Sequence, residues 1–378
     1  MNQRRPLLVI GTRPEAIKMA PIIKACRDHS QVDPIVCFTG QHRELLDQVA
    51  EYFEIVPDVD LNLMRPDQTL AALTARCLEG IDTEISRWQP DCLIAQGDTT
   101  SVLCASMAAF YRQLPFIHVE AGLRTNNLQS PWPEEFNRRV ASLATTTHCA
   151  PTQTAASNLH AEGVCPEHVH VTGNTVIDAL LWTVERERNN HNWKTKYDFL
   201  GDRRMVLITG HRRESFGSGF ESICLAIQSL SAQFPEVEFV YPVHLNPRVR
   251  EPVFRLLAGH DNVHLLAPAP YPEFVWLMDR SELIITDSGG VQEEAPSLRK
   301  PVLVTRDTTE RPEALQAGVA QLVGTTQEKI TATAGKLLSD ASEYAKFQID
   351  DNPYGDGNTA ERIVELLLRN NGAAQRAA

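Results

Sequence analysis

The sequence predicts two doubly wound α/β domains, and three observations carry that reading. Short apolar runs alternate with longer helical patterns from one end of the chain to the other. The alternation breaks once, in a polar stretch near the middle, and then begins again. The length, 378 residues, exceeds the size at which one hydrophobic core stops growing. With 43% hydrophobic and 22% charged residues, the chain has apolar side chains enough for two cores and none of the bias that marks long disorder.

In the first half, the strand candidates are residues 7–10, 35–38, 92–95, 116–119 and 169–171. Their nearly continuous apolar character suits strands covered on both faces of a parallel sheet. Helical patterns at 16–25 and 101–111 lie between them. An apolar helix at 176–184 then runs into the polar segment Glu185-Arg186-Glu187-Arg188-Asn189-Asn190. This marks the boundary between a first domain, residues 1–175, and a second, residues 176–359. Strand candidates at 206–209, 239–243, 263–266, 283–286 and 301–304 repeat the rhythm. The turn-rich Asn352-Pro353-Tyr354-Gly355-Asp356-Gly357 precedes an amphipathic helix at 360–370, which is free to pack back onto the first domain.

Composition narrows the function. A net charge of −12 repels polyanions at long range, so the reading expects no nucleic-acid partner. Any anionic ligand must be met by a local cluster of Arg, His and backbone N–H groups. The start of the chain has too short an apolar run for a signal peptide, and no run approaches a membrane span. The eight cysteines show no CxxC pair and no metal-ligand spacing, so reduced thiols in the cytoplasm, no metal and no cofactor are expected. There is no G-x-G-x-x-G dinucleotide fingerprint after a strand and no P-loop.

The chemistry-bearing motifs all fall just after strand candidates, where α/β sheets bind ligands. Gly11-Thr12-Arg13-Pro14-Glu15-Ala16-Ile17-Lys18 turns from the first strand into a helix and brings Arg13 and Lys18 to that end. Gln96-Gly97-Asp98-Thr99-Thr100 offers Asp98 as an acid or base, although Asp98 or Thr99 could simply cap the next helix. Glu120 ends the strand of His118-Val119-Glu120, and Glu134 opens a helix after Ser130-Pro131-Trp132-Pro133, where it also suits the helix dipole. Convergence of Asp98, Glu120 and Glu134 would suit acid–base work. The second half supplies the complement. His211-Arg212-Arg213-Glu214 presents cations, and Ser288-Gly289-Gly290 opens a helix with backbone N–H groups available to phosphate oxygens. Glu294 lies one turn on, within reach of ribose hydroxyls, and Arg306 and Arg311 follow the next strand.

Taken in order, GTRPEAIKMAP, QGDTTSVL, HVEAGLRT, SPWPEEFNR, TGHRRESFG, TDSGGVQEEAPSL, RDTTERPEA and NPYGDG strongly resemble the non-hydrolysing UDP-N-acetylglucosamine 2-epimerases, over about residues 7–367. The resemblance implies a glycosyltransferase-B type of fold: two Rossmann-like domains, an active site in the cleft between them, and a homodimer. It implies nucleotide contacts from Arg13, His211, Phe274, Ser288, Gly289, Gly290, Glu294 and Arg311. Lys18, Asp98, Glu120 and Glu134 would lie near the sugar and diphosphate. Ala269 stands where relatives often carry Gln, so a contact to uracil there would be made by backbone. Gln41 and His42 match a loop through which some relatives are activated by a second UDP-N-acetylglucosamine, whereas Glu44 and Asp67 depart from it.

The implied reaction interconverts UDP-N-acetylglucosamine and UDP-N-acetylmannosamine by eliminating UDP to 2-acetamidoglucal and adding it back. Asp98, Glu120, Glu134 and His211 are the catalytic candidates, and the product would supply surface polysaccharide such as enterobacterial common antigen. A retaining glycosyltransferase and a hydrolysing epimerase are the alternatives that share this fold.

Overall fold

The computed structural model describes residues 3–40, 43–65, 67–349 and 351–369. The chain divides into two compact units, Met1–Ala179 with Tyr354–Ala378, and Leu180–Pro353. Among the described residues the first unit holds a seven-stranded sheet: β1 (Pro6–Ile10), β2 (Ile35–Phe38), β3 (Val59–Asp60), β4 (Cys92–Gln96), β5 (Phe116–Val119), β6 (Thr147–Ala150) and β7 (Val169–Val171). The order is β3-β2-β1-β4-β5-β6-β7 with every pair parallel. The second unit holds β8 (Arg204–Thr209), β9 (Val237–Pro242), β10 (Val263–Leu266), β11 (Leu283–Thr286), β12 (Val302–Val304) and β13 (Ala320–Leu322). Its order is β10-β9-β8-β11-β12-β13, again all parallel.

Both sheets are doubly wound. The strand order reverses between β1 and β4 in the first unit and between β8 and β11 in the second. Those reversals are where loops part and ligands enter. The central strands read as apolar runs because helices cover both faces; all five residues of β1 and of β4 are buried. Leu7, Val9, Leu93, Ile81 and Phe116 anchor the first core, and Phe220, Phe239, Tyr241, Ile285 and Leu303 the second. Cutting a side chain such as Phe116 to Ala would cost roughly 3–5 kcal/mol.

Three strands escaped the apolar-run criterion, each for a visible reason. β3 has two residues, β13 has the central Gln321, and β6 carries the buried His148 in place of an aliphatic residue. The unit boundary also differs from the one read at 175/176. It falls after Ala179, inside the helix Thr175–Glu187, because the start of that helix is tied to the first unit. Asn174 N–H donates to the Tyr354 carbonyl at 2.7 Å, and Asp178 accepts the Ala360 N–H at 2.8 Å. The end of the helix belongs to the second unit, where Glu187 accepts from Asn190 and Trp193 side chains, both at 2.7 Å. The chain re-enters the first unit at Tyr354, and the helix Thr359–Arg369 packs on the helix Arg13–Asp28.

Seven cysteines are buried and Cys165 is exposed; all eight are free thiols. Burial pushes Cys26, Cys37, Cys149 and Cys224 up to about 12, so they behave as small apolar residues. Among the described residues no helix is long and apolar enough to cross a membrane.

Candidate functional site

In the first unit, the loops that follow β1 and β4 flank the reversal. After β1 the chain turns at Gly11-Thr12 into the helix Arg13–Asp28, which puts Arg13 in its first turn and Lys18 in its second. Gly11 answers to close approach, since a Cβ there would stand 2.2 Å from Ser101 Oγ. After β4, Gly97 turns at φ +88°. Thr99, not Asp98, then caps the helix Thr100–Tyr111, its hydroxyl accepting from Val102 N–H at 3.4 Å. The Asp98 carboxylate is therefore left for other work: it accepts from Arg138, while Asn137 Nδ2 donates to the Asp98 carbonyl at 2.9 Å. Glu134, Asn137 and Arg138 are spaced three and four residues apart on the helix Glu134–Ala144, so the face that meets the Asp98 loop also carries Glu134.

Glu120 follows β5 with φ at +63°, a left-handed backbone that costs a non-glycine residue roughly 1–2 kcal/mol. Its buried carboxylate accepts from Lys18 Nζ at 2.5 Å and from the Gln96 side-chain amide. Two of the three candidate carboxylates thus each sit beside a basic side chain. Behind them lie two buried anchors that motif reading passed over. His118 donates from Nε2 to the Gly97 carbonyl at 2.7 Å, and burial holds its ring down at about 4, so it works as a neutral donor. Glu15 accepts from Gly11 N–H at 3.0 Å and from the Thr99 hydroxyl at 2.7 Å. Burial pushes its carboxyl up to about 7, against bonds from Thr99, Thr12 and Gly11.

The second unit repeats the layout with the charges exchanged. Thr209 and Thr286, in register across β8 and β11, share a hydroxyl hydrogen bond of 2.6 Å. The Ser288 N–H, expected to face an anion, is already given to Thr286 Oγ1 at 2.9 Å. Asp287 is fully buried and accepts N–H groups from His211 and Arg212, each at 2.7 Å, with His211 Nδ1 3.3 Å from its other oxygen. Burial drives this carboxyl upward, but His211 and the two backbone donors outweigh it and hold Asp287 below the usual carboxylate range. The His211 ring stays partly exposed, beside His244.

Two guanidiniums close on the helix Gly289–Glu294. From the place a Gly289 Cβ would occupy, Arg212 Nη2 is 3.7 Å away and Arg311 Cζ is 3.9 Å away. Arg311 is held by Glu293, and the buried Arg306 reaches Glu214 at 2.5 Å and Glu310 at 2.8 Å, tying the loop after β8 to the loop after β12. Guanidiniums gathered on one edge in this way are chemically able to meet an oxyanion. Among the described residues no three His, Cys, Asp or Glu side chains could share a metal ion.

Glu294 is buried and accepts the Tyr271 hydroxyl at 2.9 Å. Phe274 lies three residues on from Tyr271 along the helix Tyr271–Arg280, half-buried, and Ala269 sits in the connection from β10. Gln41 and His42 lie outside the described residues. Sequence reasoning missed Glu15, His118, Arg138 and Asp287. The spacing Thr12-x-x-Glu15 was a visible signal, since it is that of a capping box; the others touch partners too distant in sequence to leave one.

The family model described as UDP-N-acetylglucosamine 2-epimerase matches residues 24–368. The chain is 51% identical over 369 residues to the UDP-N-acetylglucosamine 2-epimerase of Escherichia coli strain K12, covering 96% of this chain and 98% of that one. Identity to the UDP-N-acetylglucosamine 2-epimerase of Yersinia pestis is 52% over 366 residues, covering 96% and 97%. Among solved structures, it is similar to the UDP-GlcNAc 2-epimerase of Neisseria meningitidis bound to UDP-GlcNAc. There the identity is 48%, the coverage 97% of this chain and 100% of that one, and the TM-score 0.90.

Proposed function

Because the chain belongs to the UDP-N-acetylglucosamine 2-epimerase family, isomerases that act on a carbohydrate, we propose that it inverts C2 of UDP-N-acetylglucosamine by elimination and re-addition of UDP. A base takes the C2 proton, the C–H electron pair becomes the C1–C2 double bond, and UDP leaves with the C1–O pair. The products of this half are 2-acetamidoglucal and UDP. UDP then returns to C1 while a proton is delivered to the opposite face of C2, giving UDP-N-acetylmannosamine.

The observation that carries this reading is the exchange of charge between the two switch points. The first presents Asp98 and Glu120, with Glu134 on the adjoining helix face, for proton transfer at C2. The second presents His211, Arg212 and Arg311 for the departing diphosphate. Arg13 and Lys18 add cations to the first set, Glu294 takes the ribose hydroxyls, and Phe274 with the Ala269 backbone takes uracil. Motif resemblance extends the reading to a cytoplasmic homodimer whose product feeds surface polysaccharide such as enterobacterial common antigen.

Proton NMR of the chain with UDP-N-acetylglucosamine in D₂O tests the route. An equilibrium mixture of two intact UDP-sugars, with deuterium at C2 of both, is the expected result. Epimerisation with the C2 proton fully retained would refute elimination. Release of free N-acetylmannosamine and UDP would identify a hydrolysing enzyme instead.

A further inference from the structure

We propose that Glu15 is a positioning residue for the acid–base chemistry: by accepting hydrogen bonds from the loops after β1 and β4 together, it fixes the backbone that carries Asp98. The inference rests on the C2 chemistry assigned above and gives a role to a residue that its motif leaves without one.

Ordinary helix capping explains only part of what Glu15 does. As the third residue of the helix Arg13–Asp28, it is placed to reach back to the N-terminus of that helix, and its bonds to Gly11 and Thr12 do so. The bond from Thr99, 84 residues away in sequence, has no part in that cap. Thr99 is the neighbour of Asp98, and on the other side of Asp98 the Gly97 carbonyl is held by His118. The Asp98 backbone is therefore held by a buried anchor on each side and by Asn137 on its own carbonyl, and Glu15 is the one that joins it to the β1 loop. Near the reversal of a sheet, where neighbouring loops part, such a tie sets the spacing of the loops themselves.

Protonation state enters because every donor to Glu15 is neutral. Gly11, Thr12 and Thr99 donate hydrogen bonds, and burial, the larger influence, keeps the carboxyl up at about 7. The charged and titratable groups on the surrounding elements are few. Arg13 and Lys18 share its helix; Asp98 on the β4 loop is matched by Arg138, and Glu120 after β5 by Lys18. Cys77, on the helix Leu70–Trp88, is kept a thiol by its hydrogen bond with Cys104 and by burial, with the charge of Glu15 adding a smaller push. Ionised, Glu15 accepts on both oxygens and the tie is complete. Protonated on Oε1, it still accepts from Gly11 through Oε2, but its bond with Thr99 reverses, the carboxyl O–H donating to the Thr99 hydroxyl. The tie is therefore charge-assisted and stronger above neutrality, and a weaker neutral contact below it.

Steady-state kinetics of UDP-N-acetylglucosamine epimerisation between pH 5.5 and 9 test this in wild type, Glu15→Gln and Thr99→Val. In wild type, kcat should rise through a limb near pH 7. Glu15→Gln keeps the size but not the charge; its kcat should be about tenfold lower at pH 8, its KM within about twofold, and its limb absent. Thr99→Val removes one donor from the ionised carboxylate, so its limb should move to higher pH. A Glu15→Gln profile that superimposes on wild type, or lies below it by the same factor at every pH, overturns the proposal. If Glu15→Gln does not fold, an unmoved limb in Thr99→Val overturns it equally. Wild type that turns over no nucleotide sugar refutes the functional reading, and this inference with it.

Discussion

Each unit buries a carboxylate that ties two loops together at the reversal of its sheet, and these two respond to burial in opposite ways. Glu15 joins the loops after β1 and β4; Asp287 joins the loops after β8 and β11. Both are almost wholly inaccessible to water, yet Glu15 is pushed up to about 7 and Asp287 is held low. The difference lies in the donors. Glu15 receives neutral amide and hydroxyl groups, whereas Asp287 has the His211 ring beside it as well as two backbone N–H groups. Burial alone does not decide the charge of a carboxylate; the charge of its partners does. The consequence is a division of labour. The first unit carries in Glu15 a carboxyl poised near neutrality, and the second carries a fixed anion that orients a cation-bearing loop.

The largest effects expected from this division fall on the first unit. Asp98→Asn, Glu120→Gln and Glu134→Gln should each lower kcat by roughly 10²–10⁴-fold while leaving the UDP dissociation constant nearly unchanged. Single-turnover rates measured beside thermal melts separate chemistry from folding. A folded, fully active Glu120→Gln enzyme would remove Glu120 from proton transfer and move that role to His211, which would blur the division between the units.

Much of this architecture is legible in the amino-acid sequence alone. Apolar runs located the strands that carry the sites, because strands buried on both faces have little freedom of composition. The motif loops fall after those strands, so the sequence alone places Asp98, Glu120, His211 and Glu294 at or just beyond strand ends. It does not place the buried supports. Glu15 reads as a helix-capping residue until Thr99 is seen against it. Arg138 is one of two adjacent arginines, and only the helix phase selects it for Asp98. Asp287 reads as the residue before Ser-Gly-Gly until the His211 and Arg212 backbone is found on it. Short-range pattern shows where a loop begins; which distant group holds it depends on packing.

Stability against pH tests the opposed carboxylates directly. Glu15 titrates at its ordinary 4.5 when unfolded and at about 7 when folded. Its contribution is therefore full below pH 4.5 and is lost as the pH climbs through 7, a loss on the order of 3 kcal/mol. Glu15→Gln should escape that loss and gain on wild type in denaturant melts from pH 5 to 8. Asp287 is depressed, so its contribution is present above the ordinary aspartate range and fades as the pH falls through the folded value. Asp287→Asn should be the less stable protein at neutral pH and converge on wild type in acid. The same sign of pH dependence for both variants would mean that the two anchors are not opposed.

Nucleotide binding should show the second unit acting without the first. Arg212→Ala is expected to weaken UDP roughly 10–100-fold, the value of one or two charge-assisted hydrogen bonds, with little change in melting temperature. Arg311→Ala should weaken UDP similarly but also lower the melting temperature, because it takes a partner from the buried Glu293. Calorimetric titration with UDP checks both. Unchanged affinity in Arg212→Ala would leave the pair of guanidiniums around Gly289 without a ligand role.

The smallest expected effect concerns Glu294, and it decides whether a carboxylate of the second unit ever acts as a base. Glu294 accepts the Tyr271 hydroxyl through Oε1 and lies on the helix that follows Ser288. If its other oxygen takes ribose hydroxyls, the contact is equally strong in ground and transition states, so it lowers KM without speeding chemistry. Glu294→Ala should then raise KM about tenfold and leave kcat within a few-fold. The variant should also stop distinguishing UDP from 2′-deoxy-UDP, because a site built to hydrogen-bond a hydroxyl rejects the analogue that lacks it, whereas a truncated site has nothing left unpaired. Tyr271→Phe retains the carboxylate and should keep that discrimination. A large fall in kcat at unchanged KM, with wild-type preference for UDP over its deoxy analogue, would place Glu294 among the proton-transferring groups and end the division between the two units.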